Sequence, residues 1–154
     1  MKLKSNRIGE VEIDENQIVD FPEGIPGFEN EKEFTIFPLD TEGPFYYMHS
    51  TRNPDLCLVL AVPFPFFPDY EIELPPEELE NLEAEEGAGA LAVFTVLTIP
   101  EDFKMTTANL LAPVVVNTVK RKGVQFVPAK SRYSTRHPIF ANRRVVQASA
   151  GQGL

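Results

Sequence analysis

The sequence predicts a single all-β domain, a β-barrel-like fold carrying one short helix, and three observations predict it. About eight to ten short segments rich in β-branched and aromatic residues follow one another, bounded by Gly, Pro, Asn and Asp. No strand–helix–strand alternation and no internal repeat interrupts them. Only Pro76 to Glu86 reads as helical, and its apolar stripe is narrow: Leu79 and Leu82 on one side, glutamates on the rest. Together these point to a barrel or sandwich spanning residues 1–140, with residues 141–154 a flexible tail of small and polar residues.

The elements follow in order. Lys2 to Ser5 and Glu10 to Asp14 alternate polar and apolar around a turn at Asn6 to Gly9, which makes a hairpin with Val11 and Ile13 facing inward. Ile18 to Phe21 is a short strand. It leads into Phe21-Pro22-Glu23-Gly24-Ile25-Pro26-Gly27-Phe28, whose rigid prolines and permissive glycines make an ordered loop pinned by Phe21, Ile25 and Phe28. Glu33 to Leu39 and Phe45 to Thr51 are strands joined by a turn over Thr41 to Pro44. A turn at Arg52 to Asp55 precedes a fully apolar strand, Leu56 to Val62. The prolines at 63, 65 and 68 forbid its continuation, and Tyr70 to Leu74 alternates again as a strand.

Pro76 suits the first turn of the helix, and Gly87 and Gly89 end it. Ala90 to Ile99 is the third apolar strand, followed by a charged loop over Pro100 to Met105. The chain is organised around Thr107 to Asn117, read as one central, sharply bent strand. Val114, Val115 and Val116 are stiff β-formers, and Pro113, with no N–H for a ladder, marks the bend. Asn109 suits a turn or a left-handed position, and a buried Asn117 must find partners for its amide. Arg121 to Gly123 is a tight turn, Val124 to Ala129 pairs back, and the basic stretch Lys130 to Phe140 adds an edge strand through Tyr133.

Composition limits function. Hydrophobic residues are 43% of the 154, enough for a core. The apolar runs Leu56 to Phe67 and Ala88 to Ile99 are too short to span a bilayer, and no apolar stretch follows the charged N-terminus, so neither membrane span nor signal peptide is expected. The single cysteine, Cys57, excludes an internal disulfide and fits a reducing cytoplasm. It lies in an apolar strand, where it reads as a small buried hydrophobe. His49 and His137 lack a second ligand at metal spacing, and no nucleophile elbow, P-loop or dinucleotide motif occurs. No enzyme, metal or cofactor is expected.

Charge is more telling. The net charge is −9, yet residues 1–102 hold all 23 acidic groups against five basic ones, and residues 103–154 hold the other nine basic groups and no acid. Asp69, Glu71, Glu73, Glu77, Glu78 and Glu80 form the densest acidic patch, beside the aromatics Phe64, Phe66 and Phe67. Aromatics within a charged rim are the composition of a protein-binding surface, whereas the plain alternative puts the phenylalanines in the core and leaves the glutamates as a solvated face. A second class of reading comes from the basic segment, which either docks on its own domain or forms an OB-like nucleic-acid surface, with Phe126, Tyr133 and Phe140 interleaved among its Lys and Arg. The acidic half opposes the latter by repelling phosphate.

Phe21 to Glu29, Pro44-Phe45, Asn109 to Asn117, and Val124-Gln125-Phe126 with Tyr133, taken together and in this order, resemble the bacterial flagellar assembly factor FliW family, from about Ile8 to Ile139. The stretch after Phe140 is not placed in that pattern. The resemblance implies a non-enzymatic cytoplasmic β-barrel, monomeric when free, with two alternative protein partners. One is flagellin, held in a chaperone-like way before export. The other is the translational regulator CsrA, antagonised away from its RNA-contacting surface, so that flagellin mRNA is translated. An acidic face suits a basic regulator, so Asp69, Glu71, Glu73, Glu77 and Glu78 are the candidate CsrA contacts. Phe64, Phe66 and Phe67, or the Phe21–Phe28 loop, are candidates for flagellin. Phe21, Gly24, Pro26, Gly27, Phe28, Asn109, Pro113 and Asn117 are read as architectural. No direct contact with nucleic acid or membrane is expected.

Overall fold

The structure, a computed structural model, describes residues 1–39, 43–84 and 91–140. Strands β1 (Lys2–Ser5) and β2 (Gly9–Glu12) form a separate antiparallel hairpin with Leu3 opposite Val11. Its turn is built by Ser5, whose Oγ accepts from the amides of Arg7 at 3.0 Å and Ile8 at 3.1 Å. A 3-10 turn follows at Glu15–Gln17. Asp14 caps it, and the Gln17 side chain accepts from the Asp14 amide at 3.1 Å, a reciprocal capping box.

The remaining strands are β3 (Ile18–Asp20), β4 (Glu33–Pro38), β5 (Phe45–Ser50), β6 (Cys57–Ala61), β7 (Leu91–Thr98), β8 (Thr107–Ala108), β9 (Val114–Asn117), β10 (Lys122–Gln125) and β11 (His137–Pro138). Seven of them close a ring in the order β3-β4-β5-β6-β7-β9-β10 and back to β3. Closure removes the exposed edges that an open sheet would leave. Every pairing in the ring is antiparallel except the last, where β10 meets β3 in parallel through Lys122 opposite Asp20. At this seam Lys122 Nζ lies 2.9 Å from Asp20 Oδ2, and the Asp20 amide donates to the Arg121 carbonyl at 2.9 Å.

Alternation along the strands fills the ring with Phe21, Phe34, Met48, Leu60, Val114 and Val116. A second apolar cluster packs Tyr70, Leu97, Leu110 and Ile139 with half-buried Phe66 and Tyr133. β9 is buried on both faces, with Val114 and Val115 fully covered. That is what three consecutive valines predicted.

The organising stretch is nonetheless two strands rather than one bent one. β7 pairs β9 through Leu91 to Phe94 and β8 through Leu97 and Thr98. Residues 109–113 leave the ladder between them. Pro113 has no donor, Asn109 Oδ1 accepts from the Ala112 amide at 3.0 Å, and the Leu110 and Leu111 amides donate to the Ser134 carbonyl at 3.2 and 3.1 Å. Asn109 therefore makes a turn, and its φ is not left-handed.

Other expectations shift. Tyr70 to Leu74 keeps its alternation, with Tyr70 buried and Glu71 and Glu73 exposed, but pairs with no strand among the described residues. The helix, α1, spans only Pro76–Asn81. It ends at Glu83, whose φ is +55°, with Glu83 N bonded to Glu80 O at 2.9 Å and Ala84 N to Leu79 O at 2.9 Å. This is a Schellman stop made by a glutamate. The glycines expected to end the helix, with Glu85 and Glu86, lie outside the described residues, as do Thr41 and Glu42 of the predicted turn, Ala90, Arg143, Arg144 and the predicted tail.

The tight turn falls at Thr118 to Arg121, with Arg121 at φ +56°, and Lys122 and Gly123 already belong to β10. The late edge strand is His137–Pro138 on β8, and Tyr133 is not in it. Phe28 does not pin its loop: its ring is 42% exposed, and the loop closes instead through main-chain bonds between Ile25 and Phe28. Among the described residues no helix is long and apolar enough to cross a membrane.

Candidate protein-binding face

Three of the six acidic residues singled out in the sequence, Glu71, Glu73 and Glu78, line two neighbouring depressions. Glu71 and Glu73 line a groove of about 210 Å³ together with Ile72, Leu110, Leu111, Phe126, Lys130 and Arg132. Glu78, on α1, lines a second depression of about 350 Å³ with Glu23, Ile25, Glu29, Val124 and Phe126. Phe126 belongs to both, so the two form one acid-rimmed, partly apolar face. Asp69 and Glu77 are exposed beside it.

Local structure explains how the first groove is held open. Tyr70 turns inward, and its hydroxyl donates to the Leu110 carbonyl at 2.7 Å. Burial pushes the Tyr70 phenol far above its ordinary range, so it stays a neutral donor. Tyr133 stacks edge-on against Tyr70 with ring centroids 4.8 Å apart. Its hydroxyl accepts from the Glu71 amide at 3.2 Å and from Arg132 Nη2 at 3.0 Å. The Arg132 guanidinium also lies 5.2 Å from the Tyr133 ring centroid, within the field of Asp69 and Glu71. The basic segment thus returns in part to its own domain.

It does not neutralise the face. The ion pairs among the described residues are Met1–Glu12, Lys2–Glu10 and the contacts of Lys122 with Asp20 and Glu83. Asp69, Glu71, Glu73, Glu77 and Glu78 take part in none of them. Glu78 is the most strained. One of its carboxylate oxygens is buried with no hydrogen-bond partner, and burial, with Glu23 and Glu77 nearby, holds its carboxyl above the usual range. Glu29 is the opposite case. It accepts from the Gly27 amide at 3.0 Å and its carboxyl is lowered by that bond first.

The three aromatics part company. Phe64 is 42% exposed and lies 6.2 Å from the Tyr70 ring. Phe66 and Phe67, candidates for an exposed surface or for the core, are half-buried, because their amides bond back to the Pro63 carbonyl and fold them onto the second core. Phe66 sits between Phe45 at 5.8 Å and Phe140 at 6.3 Å, and Phe67 meets His137 at 5.9 Å.

Framework positions surround this face. Asn117 is 3% exposed and fully engaged. Its Nδ2 donates to the carbonyls of Leu82 at 2.9 Å and Glu83 at 3.3 Å, and its Oδ1 accepts from Val119 and Lys120 at 3.1 Å each. One side chain thereby ties α1 to β9 and shapes the following turn. Gly24 is buried at φ +68°, its α-carbon against the Glu29 main chain, while Pro26 and Gly27 are exposed. Gly123 carries a role the sequence reading missed: a β-carbon there would come within 2.6 to 2.9 Å of the Phe21 ring. The roles of Glu23, Glu29 and Phe126 in the second depression were missed too, since they are far apart in sequence and only the β3–β10 closure brings them together.

Elsewhere among the described residues the chemistry-bearing side chains are held apart. His49 is fully buried, with Nδ1 2.7 Å from the Ser50 carbonyl and Nε2 2.7 Å from Ser5 Oγ. Burial raises the Cys57 thiol, away from reactivity. Among the described residues no group of His, Cys, Asp and Glu is placed to hold a metal.

The same fold occurs in known proteins. The family model "FliW protein" matches residues 2–139. A flagellar assembly factor FliW from Syntrophomonas wolfei is 48% identical over 140 residues, covering 91% of this chain and 89% of that protein. Another from Caldicellulosiruptor bescii is 44% identical, with 91% of each chain covered. A crystal structure of the flagellar assembly factor FliW superposes with a TM-score of 0.84 at 41% identity, covering 91% of this chain and 97% of that one. With matches that span nearly the whole chain in sequence and in fold, the protein belongs to the FliW family of flagellar assembly factors.

Proposed function

We propose that the protein serves flagellar assembly by binding and not by turnover, in the cytoplasm, as a monomer when free, with flagellin and the translational regulator CsrA as alternative partners. Bound to flagellin it acts as a chaperone; released, it binds CsrA and relieves repression of flagellin mRNA translation. One observation carries the CsrA half of this reading: a cluster of acids that form no ion pair among the described residues, rimming a groove with apolar walls. An RNA-binding regulator is basic, and uncompensated carboxylates steer such a partner and fix its register, while apolar groups beside them supply the buried anchor. Asp69, Glu71 and Glu73 on one side and Glu77 and Glu78 on the other are the proposed contacts. For flagellin, Phe64 is the most exposed of the three candidate aromatics, and the Phe21–Phe28 loop offers exposed Phe28.

The fold weighs against the nucleic-acid alternative at three of its basic residues. Lys122 is engaged with Asp20, and Lys130 and Arg132 share their groove with Glu71 and Glu73. Phosphate approaching there meets the carboxylates as well.

The test is reversal of charge. Replacing Glu71→Lys and Glu73→Lys together touches exposed side chains only, so the fold persists. Affinity for CsrA, read by calorimetry at low salt, should fall by about tenfold or more, as for two reversed interfacial charges. Unchanged affinity in a folded variant contradicts the assignment of this face.

A further inference from the structure

We infer that Glu71–Leu74 is an open strand edge that takes up an extended segment of a partner protein in which basic and apolar side chains alternate. The inference rests on the proposed role as a protein-binding factor and gives that role a recognition mode.

The segment alternates in burial as a strand does, and among the described residues no strand pairs with it. Its side chains alternate, with Ile72 and Leu74 half-buried and Glu71 and Glu73 exposed. The Glu71 amide is taken by Tyr133, but among the described residues the amides of Ile72, Glu73 and Leu74 donate to no partner, and no carbonyl from Glu71 to Leu74 accepts. Elsewhere the barrel closes on itself and satisfies such groups in its ladders. Open space runs alongside: the groove with Leu110, Leu111 and Phe126, and a second depression with Phe64, Tyr70 and Arg132. Pro68 before the segment and Pro75 and Pro76 after it limit the edge to about four residues, roughly 13 Å of strand.

The chemistry of the edge selects its occupant. In an added strand, side chains directly opposite lie on the same face and interact. Residues opposite Glu71 and Glu73 are therefore favoured as Lys or Arg, and those opposite half-buried Ile72 and Leu74 as apolar groups. Two glutamates opposite each other repel, so pairing with a second copy of this edge is opposed. A helix laid in the groove would leave the free main-chain groups unmet, whereas strand addition supplies main-chain bonds for affinity and alternate side chains for specificity.

The experiment titrates isotope-labelled full-length protein with a capped synthetic peptide, Thr-Lys-Val-Lys-Val-Thr, followed by NMR. The expected result is saturable shifts of the amides of Ile72, Glu73 and Leu74, with slowed exchange. Methylating the peptide nitrogens on one register abolishes binding and on the alternate register preserves it, because only one set faces the edge. Exchanging both peptide lysines for glutamate weakens binding about tenfold, as expected for two cross-strand pairs turned repulsive. Glu71→Lys with Glu73→Lys reverses that preference. Shifts mapping elsewhere, no shifts, or equal binding by both methylated registers overturns the inference. Calorimetry with intact CsrA separates the two levels: binding there without any effect at residues 72–74 defeats the open edge alone, whereas no binding to CsrA or to flagellin defeats the proposed function.

Discussion

Asn117 concentrates more structure than any other polar side chain here. It is buried, and it bonds the end of α1 on one side and the turn after β9 on the other. Asn117→Ala leaves two amides and the Leu82 and Glu83 carbonyls without these partners, a loss of about 3 kcal/mol in unfolding free energy. Denaturant melts should show it as a shift in midpoint without a change in slope. Gly123 is the steric counterpart. Phe21 is fully buried and stacked edge-on to Phe34 at 5.3 Å, so its ring has nowhere to retreat from an added methyl. Gly123→Ala should cost about 1–3 kcal/mol by overpacking, read in the same melts; a neutral result would mean that the ring moves. The two residues were not equally legible. A polar amide inside a valine strand announces its need for partners, but a glycine in a turn-like Arg-Lys-Gly sequence does not reveal that an aromatic ring lies against it.

At the level of elements, α1 shows how local sequence and tertiary context compete. Its start is written in Pro76 and its inward side in Leu82, which is 1% exposed. Its end was misplaced, because glycine is the usual left-handed cap and here Glu83 takes that conformation. Glu78 bears the cost of the helix's position. Its folded carboxyl titrates above the ordinary 4.5, so the folded state holds more protons than the unfolded chain between those two values. Stability therefore declines as pH rises from about 4.5 through the folded value, and the penalty persists at neutral pH. Glu78→Gln should remove that dependence and raise the melting temperature at pH 7 relative to pH 4; an unaltered pH profile would contradict the assignment. Strands with strict alternation or a run of valines were readable, and so was the hairpin. Tyr70 to Leu74 was readable in phase but not in pairing, since alternation reports which side is buried and says nothing of whether a neighbour exists. Residues 109–113 failed for a related reason: Leu110 to Ala112 look like strand, yet a proline and an asparagine cap lead them out of the ladder.

Across the whole molecule, the barrel closes by joining distant parts of the chain, and that closure places Glu23 and Glu29 opposite Glu78 and Val124. No linear reading assembles those groups, although the resemblance to the family was visible in ordered short motifs. The exposed seam pair Lys122–Asp20 adds little stability by itself; its consequence is positional. Charge segregation along the sequence becomes a face whose acids form no ion pair among the described residues and are only partly met by Arg132. The central claim is that this face binds a basic partner and that flagellin governs its availability. The most direct measurement is a calorimetric titration of the protein with purified CsrA, repeated with flagellin already bound. The account predicts tight binding that weakens as salt is raised and disappears when flagellin is present. Binding that survives flagellin would establish two independent sites and contradict the exchange of partners; no binding to either protein would contradict the account as a whole.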